Sequence, residues 1–339
     1  MLLLYKNCGC GLNLLTPNGA NGAVNSAAGA TLQLRLTIFQ EGFMIAITGA
    51  TGHTGSLVAT QLLRQGEKVR AIGRSEERLR ALKEKGAEIA PGDQTDQAFL
   101  TKAFSGADAV YLLLPPKVDA EDFRGFQKKL TATAVRALTD SRVRKVVLLS
   151  SFGAELESGT GPVLGIHEAE RQIGNIAHLD ALFIRAAYFM ENTLMMLSMI
   201  KNQGIMGNPA APDKKFSLVA TRDIASYAAK VLSARNFTGH AAHDLYGDQL
   251  SFNEIAAVLS TKLALPGLKY VQFPAEQAVA AMVGMGMSKS MAAGMAELSV
   301  SVGQGKLHPT NVPDGAPNAP TRFAQFVDEV FVPAYRAQK

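Results

Sequence analysis

A run of glycines, Gly49-Ala-Thr-Gly-His-Thr-Gly55, follows an apolar, β-branched segment that begins at Met44. After a strand, the first glycine of such a run allows a tight turn, and the second lets the backbone approach a pyrophosphate. The third lets the following helix pack closely on the strand, and the helix N-terminus then holds phosphates through its N–H groups. The spacing therefore predicts a dinucleotide-binding turn. Its cofactor-binding residues are predicted to be Gly49, Thr51, Gly52, His53, Thr54 and Gly55.

The residue that follows the second predicted strand bears on the choice of cofactor. A site that prefers NAD places Asp or Glu about 20 residues after the glycine run, where it binds the ribose 2′-hydroxyl. Arg74 holds that position here and is followed by Ser75. A guanidinium pairs well with a 2′-phosphate, so the sequence favours NADP(H), held by Arg74 and Ser75. An arginine that is merely on the surface is the alternative.

Later strand ends supply the remaining candidates for cofactor binding. Asp93 closes the third predicted strand, where the edge of the adenine would lie. The residues at the end of the fourth predicted strand would flank the ribose and the nicotinamide, and those after the fifth would reach the nicotinamide. These residues are Leu114, Pro115, Ser150 and Phe152.

Strand-like and helix-like segments alternate from Met44 onward, and Ser75 and Ser251 stand at positions that would cap helices. The alternation predicts an α/β fold, a Rossmann-type doubly wound parallel sheet with a smaller C-terminal substrate lobe. Strands are predicted at Met44–Thr48, Lys68–Ile72, Glu88–Ala90, Ala109–Leu114, Lys145–Ser150, Asp180–Arg185 and His243–Tyr246. Helices are predicted at His53–Gln65, Gln97–Phe104, Glu121–Asp140, Phe252–Leu263, Pro274–Val283 and Ser288–Val302, and another after Ser75.

The chain divides into three predicted parts. Residues 1–43 include a long uncharged stretch without hydrophobic period, which predicts a disordered extension. The apolar region before Lys6 is too short for a signal peptide, and Met44 is itself a plausible first residue. Residues 44–190 are predicted to bind NADP(H), and residues 191–339 to form the substrate lobe. Segments near residues 216–248 are expected to return to the Rossmann sheet.

The amino-acid composition argues against a nucleic-acid-binding protein and against a membrane-spanning one. The net charge of +5 comes from 34 basic and 29 acidic residues that are mixed along the chain, so no basic stripe for nucleic acid is expected. No apolar run approaches the roughly 20 residues that cross a bilayer. The two cysteines, Cys8 and Cys10, lie in the predicted extension, which is consistent with a reducing cytoplasm. The methionines of the second half would fill a core or line a pocket for flat apolar ligands.

A set of short motifs extends along the chain: the glycine turn, Gly92-Asp93, Gly106–Val110, Leu149–Gly153, Arg185–Asn192 and Thr221–Ala225. In these motifs the sequence resembles the NmrA-like family, an atypical branch of the short-chain dehydrogenase/reductase superfamily. The resemblance implies strand order 3-2-1-4-5-6-7 and a cleft between the nucleotide domain and a small C-terminal lobe. It also implies an NADPH-dependent reductase of quinones or phenolic compounds, or an NADP-sensing regulator that lacks turnover.

One departure from the superfamily concerns catalysis. Ordinary members use Tyr-x-x-x-Lys, in which the lysine lowers the pKa of a tyrosine that protonates the developing alkoxide. The only such spacing here, Tyr335 to Lys339, lies at the end of the chain and is interpreted as coincidence. The position at which related reductases carry the lysine holds His167. Its imidazole would bind the nicotinamide ribose or donate a proton, or it simply bonds to nearby backbone.

Two further residues are catalytic candidates beside His167. Ser151, with Ser150, stands where a superfamily serine would polarise a substrate carbonyl, although paired serines also suit a strand end. Tyr188 would face the nicotinamide or belong to the core. The spacing of His240 and His243 suggests a metal pair, but no third ligand is in sequence reach, so no metal site is predicted.

These observations predict a reductase that transfers hydride from NADPH to quinone-like or other flat electrophilic small molecules. A non-catalytic NADP(H) sensor that acts through a partner protein is the alternative. The expected partner is a small aromatic or quinone-like substrate, with neither nucleic acid nor membrane. A homodimer or a regulatory protein partner stays open.

Overall fold

The computed structural model describes residues 43–311 and 318–337. The predicted extension up to residue 42, with Cys8 and Cys10, lies outside the described residues, as does Lys339 of the Tyr-x-x-x-Lys spacing.

Seven parallel strands form the central sheet, in the order β10-β6-β5-β4-β1-β2-β3. The strands within the described residues are β1 (Met44–Ile47), β2 (Lys68–Gly73), β3 (Glu88–Pro91), β4 (Ala109–Leu112), β5 (Lys145–Ser151), β6 (Asp180–Ala186), β7 (Tyr188–Phe189), β8 (Ile205–Asn208), β9 (Phe216–Val219), β10 (His240–Leu245), β11 (Asp248–Leu250) and β12 (Lys269–Gln272). The doubly wound sheet and its implied strand order are confirmed. The seventh strand of the sheet begins at His240, earlier than predicted, because its first residues pair with β6.

The helices of the described residues are α1 (His53–Arg64), α2 (Glu76–Lys83), α3 (Gln97–Phe104), α4 (Phe123–Ser141), α5 (Val163–Ile173), α6 (Leu197–Gln203), α7 (Thr221–Ala234), α8 (Phe252–Leu263), α9 (Ala275–Gly284), α10 (Lys289–Gly303), α11 (Phe323–Phe326) and α12 (Val332–Ala337). A 3-10 helix spans Met190–Met196, and a π-helical turn, Val327–Phe331, joins α11 to α12. The Ser75 hydroxyl accepts a hydrogen bond from Arg78 N and caps α2. Ser251 and Glu254 form the capping box of α8. Both caps are as predicted.

The sheet is covered on both faces, as a parallel sheet requires. Ile45 and Ile47 of β1 belong to a buried cluster with residues of α1 and α7. Ala46, which points the other way, belongs to a second cluster with residues of α3, α4 and α5. Because both faces of the sheet are covered, a ligand can approach it at the ends of its strands.

The remaining strands build a smaller lobe from two short sheets, β11-β9-β7 and β12-β8. Its core is rich in aromatic rings, among them Phe216, Phe252 and Tyr270. The segment after residue 317 packs Phe323 and Phe326 into this core. It is also tied to α7 of the larger domain, because Asp223 accepts hydrogen bonds from the backbone and the hydroxyl of Thr321 at 3.0 and 2.9 Å. Within the parts of the chain that the structure describes, no helix is long and apolar enough to cross a membrane.

Candidate functional site

The glycine turn has the geometry that its sequence predicts. Gly49 has a φ of +63°, in the left-handed region that favours glycine, and its carbonyl accepts a hydrogen bond from Gly52 N at 2.9 Å. A Cβ on Gly55 would lie 2.3 Å from the Gly49 oxygen, so only glycine fits where α1 meets the turn. Gly52 is exposed and precedes the first residue of α1. The backbone is therefore open at the helix N-terminus, where a pyrophosphate would fit.

Two arginines lie beside the glycine turn. Arg74 is exposed and directly follows β2. Arg78, in the first turn of α2, donates a hydrogen bond from its guanidinium to the Thr51 carbonyl at 3.2 Å. Sequence reasoning missed Arg78; its signal was its place one turn after Ser75, which fixes the start of α2. Together the two cations make this corner of the site suitable for a phosphate.

His53, the first residue of α1, lies within the influence of Arg78. Partial burial of its ring lowers the pKa of His53, and the positive charge of Arg78 lowers it further. The neutral ring therefore predominates beside the turn.

Asp93 follows β3 at the same edge of the sheet as Arg74. Its side chain is exposed and accepts a hydrogen bond from Thr95 N at 2.8 Å, which orders the loop after the strand. Leu114 and Pro115, which follow β4, line a small cleft between this strand end, α4 and α5, with a volume of about 40 Å³. The predicted cofactor residues of β1 to β4 thus all lie at the carboxyl ends of their strands.

The two serines that end β5 are buried and bonded to protein atoms. Ser150 donates to the Glu170 carboxylate, and Ser151 donates to the Phe152 carbonyl at 3.0 Å. Both hydroxyls therefore already have hydrogen-bond partners within the fold. Polarisation of a substrate carbonyl by Ser151 stays a prediction.

His167 lies within α5 and is half-buried. Its Nδ1 is 2.8 Å from the Ala154 carbonyl. Since a carbonyl oxygen only accepts, Nδ1 carries the proton in this contact, and Nε2 is left as the nitrogen that can exchange a proton. The backbone bond anticipated as the alternative is present, and it holds the Nδ1 proton, so Nε2 carries a proton to donate only in the imidazolium form.

Tyr188 packs among aromatic rings of the smaller lobe. Its ring meets Phe216 and Phe252 edge to face, with centroids 5.3 and 6.1 Å away. Burial raises the pKa of the Tyr188 phenol, so it stays protonated at neutral pH. A catalytic role toward the nicotinamide stays a prediction.

Glu191 is a buried acid that sequence reasoning did not single out by itself. Its Oε1 accepts hydrogen bonds from the backbone and the hydroxyl of Thr221 at 2.9 and 2.5 Å, whereas Oε2 has no partner among the described residues. Burial raises the pKa of Glu191, in opposition to these hydrogen bonds. The Arg185–Asn192 motif, which carries the resemblance, contained this residue.

The paired histidines both contact protein atoms. His240 Nε2 contacts the Leu179 carbonyl at 3.0 Å, and His243 Nδ1 contacts the Tyr227 hydroxyl at 2.5 Å. No group of three His, Cys, Asp or Glu side chains in residues 43–311 and 318–337 could hold a metal ion.

Comparison with known proteins adds to this geometry. The model of the NmrA-like family matches residues 43–312. The NAD(P)H azoreductase of Xenophilus azovorans is 32% identical over 260 residues, which cover 75% of this chain and 86% of that protein. Quinone oxidoreductase 2 of Escherichia coli (strain K12) is 27% identical over 271 residues, 78% of this chain and 90% of that protein.

A solved structure shares the fold. The triphenylmethane reductase of Citrobacter sp., complexed with NADP(H), superposes with a TM-score of 0.72 at 22% identity. The match covers 84% of this chain and 99% of that one. The Rossmann-type core and its smaller lobe therefore recur together in a known protein.

Proposed function

The chain belongs to the NmrA-like family, and from this premise we propose that it is an NADPH-dependent reductase of quinone-like and other flat electrophilic small molecules. The observation that carries the proposal is the glycine turn with two arginines beside it. Curated relatives that match most of the chain are named as an azoreductase and a quinone oxidoreductase, which supports reduction of flat aromatic acceptors.

The cofactor would lie across the carboxyl ends of the strands. Gly52 and Thr54 would hold the pyrophosphate at the start of α1, while Arg74, Ser75 and Arg78 would hold the 2′-phosphate. Two guanidinium groups suit a phosphate dianion and gain nothing from the bare hydroxyl of NAD. The residues proposed near the adenine, the ribose and the nicotinamide are Asp93, Leu114, Pro115, Ser150 and Phe152.

The missing Tyr-x-x-x-Lys pair fits this class of substrate. NADPH supplies a hydride, and a quinone that takes it becomes a hydroquinone anion stable enough for water to protonate. An azo group that takes a hydride leaves a more basic nitrogen anion, which needs a proton from a donor. His167 would supply this proton as an imidazolium, giving up the Nε2 proton and keeping the Nδ1 proton on the Ala154 carbonyl. The protein otherwise orients the reactants and excludes water.

The sensor alternative finds no support in the named relatives, since both are reductases. We propose that the reductase acts in the cytoplasm, the compartment that the cysteine usage favours. Assembly as a homodimer, or with a regulatory protein, stays a prediction.

The test is steady-state oxidation of NADPH by the full chain with a panel of quinones, azo compounds and enones. We expect turnover above the rate without acceptor, faster with NADPH than with NADH. Tight binding of NADPH without turnover of any acceptor would instead identify a cofactor-binding protein that is not a reductase.

A further inference from the structure

A second cleft lies in the smaller lobe beside β9, with a volume of about 290 Å³. Its apolar lining includes Phe216 and Leu307, and its polar lining includes Lys214, Ser217 and His308. The lining is thus mixed, with polar and charged groups beside a small apolar part, and such convergent polar groups fix the orientation of a ligand in a small-molecule site.

Two residues that line the cleft also contact residues that follow β5 and β6. The Phe216 ring packs on Tyr188, which follows β6 by one residue. Leu307 packs on the backbone that follows β5, since a Cβ on Gly153 would lie 3.2 Å from Leu307 Cγ. Because ligands of doubly wound sheets bind beyond the carboxyl ends of the strands, this cleft is placed to take the outer part of a substrate.

The polar groups of the cleft are predominantly hydrogen-bond donors. The Lys214 side chain crosses the backbone of Gly305, where a Cβ would lie 2.2 Å from Lys214 Cε. His308 Nδ1 contacts the Gly305 carbonyl at 3.3 Å, and the Ser217 oxygen accepts from Gln249, so its own proton can be donated.

The charge of Lys214 is not neutralised by a neighbour. Lys215 forms an ion pair with Glu254 at 2.9 Å, and the Asp213 carboxylate accepts a hydrogen bond from Asn253 at 2.7 Å. Lys214 has no acidic partner within the described part of the chain. An anionic group in the cleft would therefore meet an available ammonium.

We propose that the Lys214 cleft binds an anionic substituent of the substrate. The favoured acceptors are then flat electrophiles that carry a carboxylate, sulfonate or phosphate some distance from the reducible group. This inference rests on the proposed reductase function and names the substrate class of that site.

The experiment uses a matched pair of quinones, 2-methyl-1,4-naphthoquinone bearing a 3-propanoic acid chain and the primary amide of the same acid. Two methylene groups separate the substituent from the ring, so the two quinones differ in charge far more than in reactivity. We expect wild-type kcat/KM to favour the acid about three- to fivefold, through KM, with the preference shrinking at high salt because the charges are exposed.

Charge variants assign the preference to one residue. Lys214→Met should abolish the preference, and Lys214→Glu should reverse it. Lys68→Met is the control, because Lys68 is also exposed but opens β2 at the opposite edge of the sheet. Circular dichroism and NADPH affinity verify that each variant is folded.

Failure of this inference is distinguishable from failure of the proposed function. Turnover of both quinones without preference, or a preference that survives Lys214→Glu, overturns the anion site and leaves the reductase intact. If neither quinone nor any other acceptor is reduced, the reductase proposal fails. Calorimetric titration of the acid and of the amide into the NADPH-saturated protein then tests the anion site by itself. Equal Kd values for the two compounds would overturn the site. Tighter binding of the acid, lost in Lys214→Met, would support it.

Discussion

Arg185 holds both carboxylate oxygens of Glu170, with hydrogen bonds of 3.0 Å from Nε and 2.6 Å from Nη2. Arg185 belongs to β6 and Glu170 to α5, and the same carboxylate also accepts from Ser150 of β5. A single acid thereby fastens α5 to two strands of the sheet. Because His167 lies one turn earlier on the same helix, this pair positions His167 relative to the strand ends.

Substitution of Glu170 tests how much this ion pair contributes to the stability of the fold. Glu170→Ala should lower the free energy of unfolding by about 3 kcal/mol, because both side chains of the pair are largely buried and Arg185 would keep only its longer contact with Glu155. Urea unfolding measures the difference. Glu157→Ala, at an exposed acid, should change stability by less than about 0.5 kcal/mol. Equal changes in the free energy of unfolding for the two substitutions would show that the Glu170–Arg185 pair contributes no more than an exposed acid does.

The cofactor assignment predicts a selective loss of affinity. Arg74→Ala and Arg78→Ala should each weaken NADPH binding about 10-fold or more, because each would remove charge-assisted hydrogen bonds to the 2′-phosphate. Binding of NADH, which lacks that phosphate, should change little. Arg80→Ala on the same helix serves as the exposed control in fluorescence titrations. Equal losses for NADPH and NADH would contradict the assignment.

The proposed proton donor predicts a substrate-dependent defect. His167→Ala should lower kcat for azo compounds about 100-fold, whereas kcat for quinones should fall less than about fivefold, because water can protonate the hydroquinone anion. NADPH affinity should stay near that of the wild type. His178→Ala, at an exposed histidine before β6, is the control in the same steady-state assays. A uniform loss across both acceptor classes would argue against proton donation by His167.

The raised pKa of the buried Glu191 carboxyl predicts that the stability of the protein depends on pH. Its pKa is raised in the folded state above the ordinary value of 4.5, so the unfolded chain loses this proton first as the pH rises. The contribution of Glu191 is therefore favourable at low pH and is lost as the pH rises from about 4.5 through the raised pKa.

Glu191→Gln removes this titration, and its amide oxygen can still accept from Thr221. The melting temperature of the variant, relative to that of the wild type, should therefore rise by about 2 °C or more between pH 4.5 and 8. Glu297→Gln, at an exposed acid, should show no such trend in thermal melts. A constant difference at every pH would mean that burial does not perturb the Glu191 carboxyl.

Features with local physical causes could be predicted from the sequence. The left-handed backbone at Gly49 and the close approach at Gly55 follow from residue types within one turn. The caps at Ser75 and Ser251 follow from side chains that bond to backbone three residues on. The predicted helix Gln97–Phe104 has the bounds observed, because its cap and its apolar period agree. Alternation of such units was enough to predict the doubly wound sheet.

Contacts between distant residues were decided by the tertiary structure alone. Three such contacts join segments that no sequence periodicity relates. They are the hydrogen bond from Arg78 to Thr51, the ion pair of Arg185 with Glu170, and the packing of Lys214 on Gly305. The sequence placed His167 near the strand ends, but only the Ala154 carbonyl fixed which ring nitrogen carries the proton. Local chemistry determines where a cofactor can be held, whereas the packing of separate elements determines which charges and protons meet a substrate.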